Sequence, residues 1–355
     1  MTVHDPILAA AQRARATIPD DNAMLRAAAD LTRALSTANP RIYWADLLAS
    51  VLIGYSALAG AILVESVPLA IACGLVAMLA LYRAASFIHE LTHIRKGALP
   101  GFRLGWNLLV GIPLMIPSFM YEGVHTQHHA RTRYGTAEDP EYLPLALMKP
   151  WSLPLFIIVA TLAPVGLILR FGVLTPLSML IAPLRRKVVA ELSALSINPA
   201  YRRRPPEGDF ARQWAWQEAG TSLFAIALVG SVFAFGWKPL LVYMAIHSAM
   251  TVINQLRTLV AHLWENEGDA MTVTAQYLDS VNVPPPGTLP AIWAPVGLRY
   301  HALHHLLPSV PYHALGQAHR QLIATLDSES PYHRGNYRGM LPLVGKIARS
   351  TMTAR

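Results

Sequence analysis

Cysteine and charge are what this chain has least of. One thiol, Cys73, in 355 residues excludes an intrachain disulfide and argues against a thiolate metal site. Only 14% of the residues are Asp, Glu, Lys or Arg and 53% are hydrophobic, where soluble domains carry about a quarter charged residues. That balance excludes an ordinary soluble enzyme. The net charge is +8, but no basic stripe with interleaved aromatics is present, so nucleic acid is not the partner. The arginines sit between apolar runs instead, as in the cytoplasmic loops of a multi-pass membrane protein. An arginine-rich, lysine-poor composition fits a bacterial inner membrane. A secretory h-region is also missing. Residues 1–40 carry Arg13, Arg15, Arg26 and Arg33 among many alanines, predicting an amphipathic, interfacial segment. No internal repeat or low-complexity linker asks for a second domain. Residues 41–320 therefore read as one membrane domain and 321–355 as a cytoplasmic tail.

What the chain does have is long apolar runs. Two of them, 42–64 and 67–88, are separated only by Glu65–Ser66, and each has the roughly 20 residues a spanning helix needs. They form a hairpin, and Arg95, Lys96 and Arg103 after it mark that end as cytoplasmic. The run 104–118 is shorter and broken by Pro113 and Pro117, predicting a re-entrant or interfacial segment. Residues 152–184 carry Pro154, Pro164, Pro176 and Pro183, and form a second excursion or lie in the interface. A final pair, 216–236 and 239–261, turns at Trp237-Lys238-Pro239. The expected fold is all-α and integral to the membrane. It has two transmembrane hairpins, interfacial or re-entrant helices, and a cytoplasmic cap.

That cap carries the histidines. His89 and His93 stand in HELTH, His125, His128 and His129 in HTQHH, and His301, His304 and His305 in HALHH. Spacings of three and four residues stack side chains on one face of a helix, so each cluster aims several imidazoles in one direction. Eight converging imidazoles exceed what one tetrahedral zinc needs and suit two iron ions. HELTH alone matches the HExxH signature of zinc proteases, but such an enzyme needs one further ligand rather than two HxxHH clusters. A metal transporter would hold its ligands near the bilayer midplane, whereas these lie beyond the apolar cores. His262 ends the last long helix on the same side and is the expected ninth ligand. His247 lies within an apolar run and reads as a core residue. His313 and His319 read as supporting or structural groups, and His4 and His333 have no claim. Imidazoles that bind metal need partners for their second nitrogen. Glu90, Glu122, Glu138, Asp139, Glu265 and Asn266 are the candidates, and Glu90 is alternatively a metal ligand.

These boxes, with RTLVAH at 257–262 and YHALHHLLPSVPYHAL at 300–315, resemble the membrane fatty acid desaturase family over roughly residues 40–320. The resemblance implies a non-haem diiron centre that uses O2 to remove two hydrogens from an acyl chain. It assigns His89, His93, His125, His128, His129, His301, His304 and His305 as iron ligands, with His262 as the additional histidine. GTAEDPEY at 135–142 is similar to the segment that follows box two in these enzymes, which gives Asp139 a supporting role. HELTH also resembles the first box of membrane alkane hydroxylases, so hydroxylation is the alternative reaction. Thr258 stands where some relatives carry an asparagine. The chain lacks the His-Pro-Gly-Gly motif of a fused cytochrome b5 domain. Electrons are therefore expected from a separate carrier, a ferredoxin or similar protein steered by the basic loops.

Overall fold

Proline at the first turn and apolar residues on every face define the first hairpin. Helix α2 (Pro40–Leu63) starts behind Asn39, whose side chain accepts from the Arg41 amide, and α3 (Val67–His93) starts at Pro68. The reversal falls at Val64–Ser66, as the Glu65–Ser66 break predicts. Gly54 lets the pair close: a Cβ there would meet Leu81 Cδ2 at 2.6 Å. A bidentate Arg83–Asp46 ion pair pins the other end. At 1.5 Å per residue α3 is about 40 Å long, more than the roughly 30 Å hydrocarbon layer. Its last turns, carrying His89 and His93, therefore project beyond the apolar zone.

The computed structural model describes residues 16–95, 97–145 and 148–352; His4, Arg13, Arg15 and Lys96 lie outside them. Before the hairpin comes the amphipathic α1 (Asn22–Leu35), capped by Asp21. After it come α4 (Phe102–Trp106), α5 (His125–His128), α6 (Ser152–Ile168), α7 (Thr175–Leu180) and α8 (Ala182–Glu191). The second half holds α9 (Gly208–Gly230), α10 (Val232–Phe235), α11 (Trp237–Leu259), α12 (Val273–Asp279), α13 (Pro290–Trp293), α14 (His301–Leu306), α15 (Tyr312–Thr325) and α16 (Met340–Met352). Only isolated β-bridges occur among the described residues, so the fold is helical.

Among the described residues, five helices are long and apolar enough to cross a membrane: Pro40–Leu63, Val67–His93, Ser152–Leu180, Gly208–Phe235 and Trp237–Leu259. Leucines and phenylalanines stand bare on them, Leu63 at 77% and Phe233 at 96% exposure, which only a lipid solvent accommodates. The last pair turns at Gly236, whose φ of 71° suits glycine, one residue before the expected turn. Helix α9 begins eight residues before the apolar run that predicts it. The added turns carry Asp209 and Arg212, which pair with each other, while Glu218 within the run is neutralised by Arg170 at 2.7 Å and Arg185 at 2.7 Å.

The segment 104–118 is re-entrant. Asn107 clasps Ser118 through both ends of its amide, donating to Ser118 Oγ at 2.9 Å and accepting from the Ser118 amide at 2.8 Å. The chain between them dips beside the middle of α2 and returns. Tyr55 and Tyr243 from spanning helices donate to its free carbonyls, Leu109 at 2.8 Å and Pro113 at 2.7 Å. Irregular backbone at membrane depth survives only with such partners. Residues 152–180 form a long helix interrupted by a π-helical stretch, Leu169–Leu174. The chain then reverses at Ile181, so that Leu192 and Ser193 come back to the Arg170 guanidinium at 2.8 Å each.

Above the spanning helices the remaining elements build a cap. Helix α1 lays Met24 and Ala28 against α15 rather than leaving its apolar stripe open. At the other end of the chain, α16 ties to the loop before α6 through Thr351 and the Leu145 carbonyl at 2.7 Å.

Candidate metal centre

Four short pieces of backbone deliver the imidazoles. His89 and His93 are one turn apart on α3, and box two forms α5 with His129 just after it. Box three opens α14, held by Ala302 N–H to Val281 O at 3.1 Å and Leu303 N–H to Asn282 Oδ1 at 2.9 Å. His262 follows the end of α11, where the chain pairs with 279–281: Leu263 N–H reaches Asp279 O at 2.7 Å and Val281 N–H reaches Ala261 O at 2.9 Å.

Helical phase then sorts the boxes into two groups. His89, His93, His125, His129 and His304 form one; His128, His262, His301 and His305 form the other. Within each, the candidate ligand atoms all lie within 4.8 Å of one another. In box two the i, i+4 pair His125/His129 serves the first group and His128 the second. In box three the i, i+4 pair His301/His305 serves the second group and His304 the first. A single HxxHH helix turn thus reaches two centres, because residues i and i+4 nearly eclipse while i+3 points aside.

The donor set fits metal ions. Nε2 atoms face one another at 2.9 Å (His262–His301), 3.0 Å (His125–His129), 3.1 Å (His93–His304, His301–His305) and 3.2 Å (His129–His304). Neutral imidazoles crowded in this way turn lone pairs toward each other, which a cation between them relieves. Nitrogens bound at about 2.1 Å to one ion sit roughly 3–4 Å apart. Both nitrogens of His89 are buried without a hydrogen bond. Burial also pushes His125, His129, His262, His301, His304 and His305 well below the ordinary imidazole value, favouring the neutral, metal-binding form. His128 is the exception. Burial lowers it, but the Asp139 carboxylate outweighs that and holds it above the ordinary value.

Carboxylates fix three of the rings. His128 Nδ1 donates to Asp139 at 2.9 Å. His125 Nδ1 donates to Glu141 at 2.8 Å, and Tyr121 donates to the same carboxylate at 2.7 Å. His262 Nδ1 donates to the Tyr134 oxygen at 2.8 Å, and the Tyr134 hydroxyl donates in turn to the Asp279 carboxylate at 2.8 Å. Each bond leaves the Nε2 lone pair aimed at its group. Burial pushes Glu141 up to about 7, with His128 among the neighbours that oppose the shift.

Of the partners expected from sequence, Asp139 alone contacts a histidine of either group by hydrogen bond. Glu90 Oε1 stands 3.8 Å from His89 Nδ1, and Glu90 bonds instead to the Tyr43 hydroxyl and, at 3.1 Å, to the Tyr312 amide. Glu122 pairs with Arg103, Glu138 with Arg133 and Glu265 with Lys346, while Asn266 bonds the Gly135 and Asp269 carbonyls. Glu141, Tyr134 and Asp279 were missed. Glu141 stands two residues after Asp139, which was a usable signal. Tyr134 and Asp279 had none, since only folding brings positions 145 apart together. His247 is buried in α11 away from both groups. His313 accepts from the Asn39 amide at 3.1 Å, His319 meets the Tyr332 hydroxyl at 2.8 Å, and His333 meets the Asp327 carbonyl at 2.8 Å.

The chain is 49% identical over 332 residues to a ceramide hydroxylase of Caulobacter vibrioides (strain NA1000 / CB15N), covering 93% of this chain and 94% of the relative. No solved structure gives a significant match. The family model described as fatty acid desaturase matches residues 63–336, from the end of α2 through all three boxes. The chain belongs to the fatty acid desaturase family.

Proposed function

We propose that this protein is an O2-dependent lipid hydroxylase acting on a ceramide-type substrate through a histidine-held diiron centre. The single observation that carries hydroxylation is the near-full-length likeness to a ceramide hydroxylase. Sequence alone leans toward acyl desaturation and keeps hydroxylation as its alternative; the relative reverses that order. The two histidine groups support the class of chemistry. An unactivated C–H bond is beyond side-chain acid–base chemistry, and bound iron supplies the O2-derived oxidant that breaks it.

His89, His93, His125, His129 and His304 would hold one ion and His128, His262, His301 and His305 the other. Asp139, Glu141 and the Tyr134–Asp279 pair keep the rings turned inward. His89, His125, His128, His262, His301 and His304 are buried and His93, His129 and His305 half-buried, which limits the access of bulk water. Electrons come from a separate carrier that docks on the cap. A groove of about 450 Å³ beside Gln127, lined by Arg133, Arg202, Arg203 and Arg204 against Glu122 and Glu207, has an excess of positive charge that supports an acidic one. The same arginines beside box two support a cytoplasmic active face in a bacterial inner membrane.

Expression in a ceramide-producing bacterium, followed by mass spectrometry of its lipids, tests the reading. Wild type yields a ceramide heavier by one oxygen atom, absent with His304→Ala. A ceramide or acyl lipid lighter by two hydrogens would return the reaction to desaturation.

A further inference from the structure

One half-buried cation is unused by the metal centre. The protein's deeply set arginines are satisfied: Arg170 by Glu218 at 2.7 Å, and Arg203 by the Ser193 and Glu122 carbonyls at 2.7 and 2.6 Å. Arg257, one turn before the end of α11, is not. Among the described residues its Nη2 donates to Asn254 Oδ1 at 3.1 Å and the Tyr82 hydroxyl lies within hydrogen-bonding reach, but its Nε is buried without an acceptor. No carboxylate among the described residues comes within ion-pairing distance of it. A guanidinium is always charged and has five N–H donors, and a buried donor left without an acceptor is costly.

Its position is central. The charge lies within electrostatic reach of His89 in the first group and of His262 and His301 in the second, and beside the Tyr82 hydroxyl. Tyr82 in turn donates to the Trp293 carbonyl at 2.9 Å, so α3, α11 and α13 meet around the guanidinium. Arg257, Asn254 and Thr258 are only half-buried although this part of α11 faces those elements, so the side chain is not sealed from an incoming molecule. The surrounding helices are apolar, and a plain hydrocarbon entering there would leave the donors unanswered.

We infer that Arg257, oriented by Asn254, anchors the polar amide–hydroxyl linkage of the lipid substrate beside the two histidine groups. The inference rests on the ceramide-type reading above and extends it. Carbonyl and hydroxyl oxygens supply the missing acceptors, and a planar fork grips two at once. The oxidised carbon must then lie a few bonds from the amide rather than far along an alkyl tail.

The test uses the full-length, iron-loaded protein in detergent. Affinity for a short-chain ceramide and for an amide-free hydrocarbon of matched length is measured on wild type, Arg257→Met, Arg257→Lys and Asn254→Ala, with iron content alongside. Wild type prefers the ceramide. Arg257→Met binds it roughly ten- to a hundredfold more weakly, the range of a charge-assisted hydrogen bond. That variant keeps its iron and its hydrocarbon affinity, while Arg257→Lys and Asn254→Ala fall between. An undiminished ceramide preference in Arg257→Met overturns the inference. Loss of iron in Arg257→Met and Arg257→Lys alike also overturns it, by making the residue a support for the ligands. If the preference depends on Arg257 but no ceramide is oxidised in cells, the anchor stands and the hydroxylase reading falls.

Discussion

At the scale of single residues the centre is a problem of orientation. An imidazole has two nitrogens, and which one carries the proton decides whether the other can bind metal. Asp139, itself fully buried, settles that for His128, with Nδ1 at 2.9 Å from the carboxylate. Asp139→Asn keeps the shape but can turn its NH2 toward the ring and weaken the inward lone pair. Metal affinity should fall by about ten- to a hundredfold, as for other partners of ligating histidines. Titration of the metal-free variant with iron against a competing chelator reads this directly; unchanged affinity would remove Asp139 from the centre. Sequence made the histidines legible because fixed spacings of three and four residues project onto a helix face. Their partners were legible only where chain proximity helped, as for Asp139 eleven residues from His128. Asp279 contacts the site through Tyr134, and nothing local in either sequence neighbourhood signals the pairing.

Among elements, the re-entrant segment decides where box two lands. A short, proline-broken run, and the need for HELTH and HTQHH to share one side, predict that residues 104–118 do not cross. The clasp that closes the loop, Asn107 to Ser118, was not foreseen, because it joins side chain to backbone across eleven positions. Asn107→Ala leaves the buried Ser118 amide without an acceptor and should cost about 1–3 kcal/mol. Thermal unfolding in detergent measures that loss, and iron retention should fall with it because α5 follows the loop. A variant with wild-type stability would mean that the tyrosine contacts from α2 and α11 alone hold the segment. Helix ends were harder to place than helices. Asp209 and Arg212 disguise the start of α9, because a charged first turn breaks the apolar run from which the helix was read.

For the whole molecule, one idea connects membrane and metal. The bilayer fixes the length of the apolar helices, and α3 and α11 continue past it to bring His89, His93 and His262 under the cap. Box two and box three descend from the cap to meet them, each shared between both groups. Two metal ions per chain follow from that division, and iron from the lipid oxidation proposed here. Elemental analysis of the full-length protein, purified in detergent without added metal, tests this most directly. The account predicts two irons per chain, with loss of metal in both His128→Ala and His304→Ala. A single zinc per chain, or two irons retained in both variants, would contradict it.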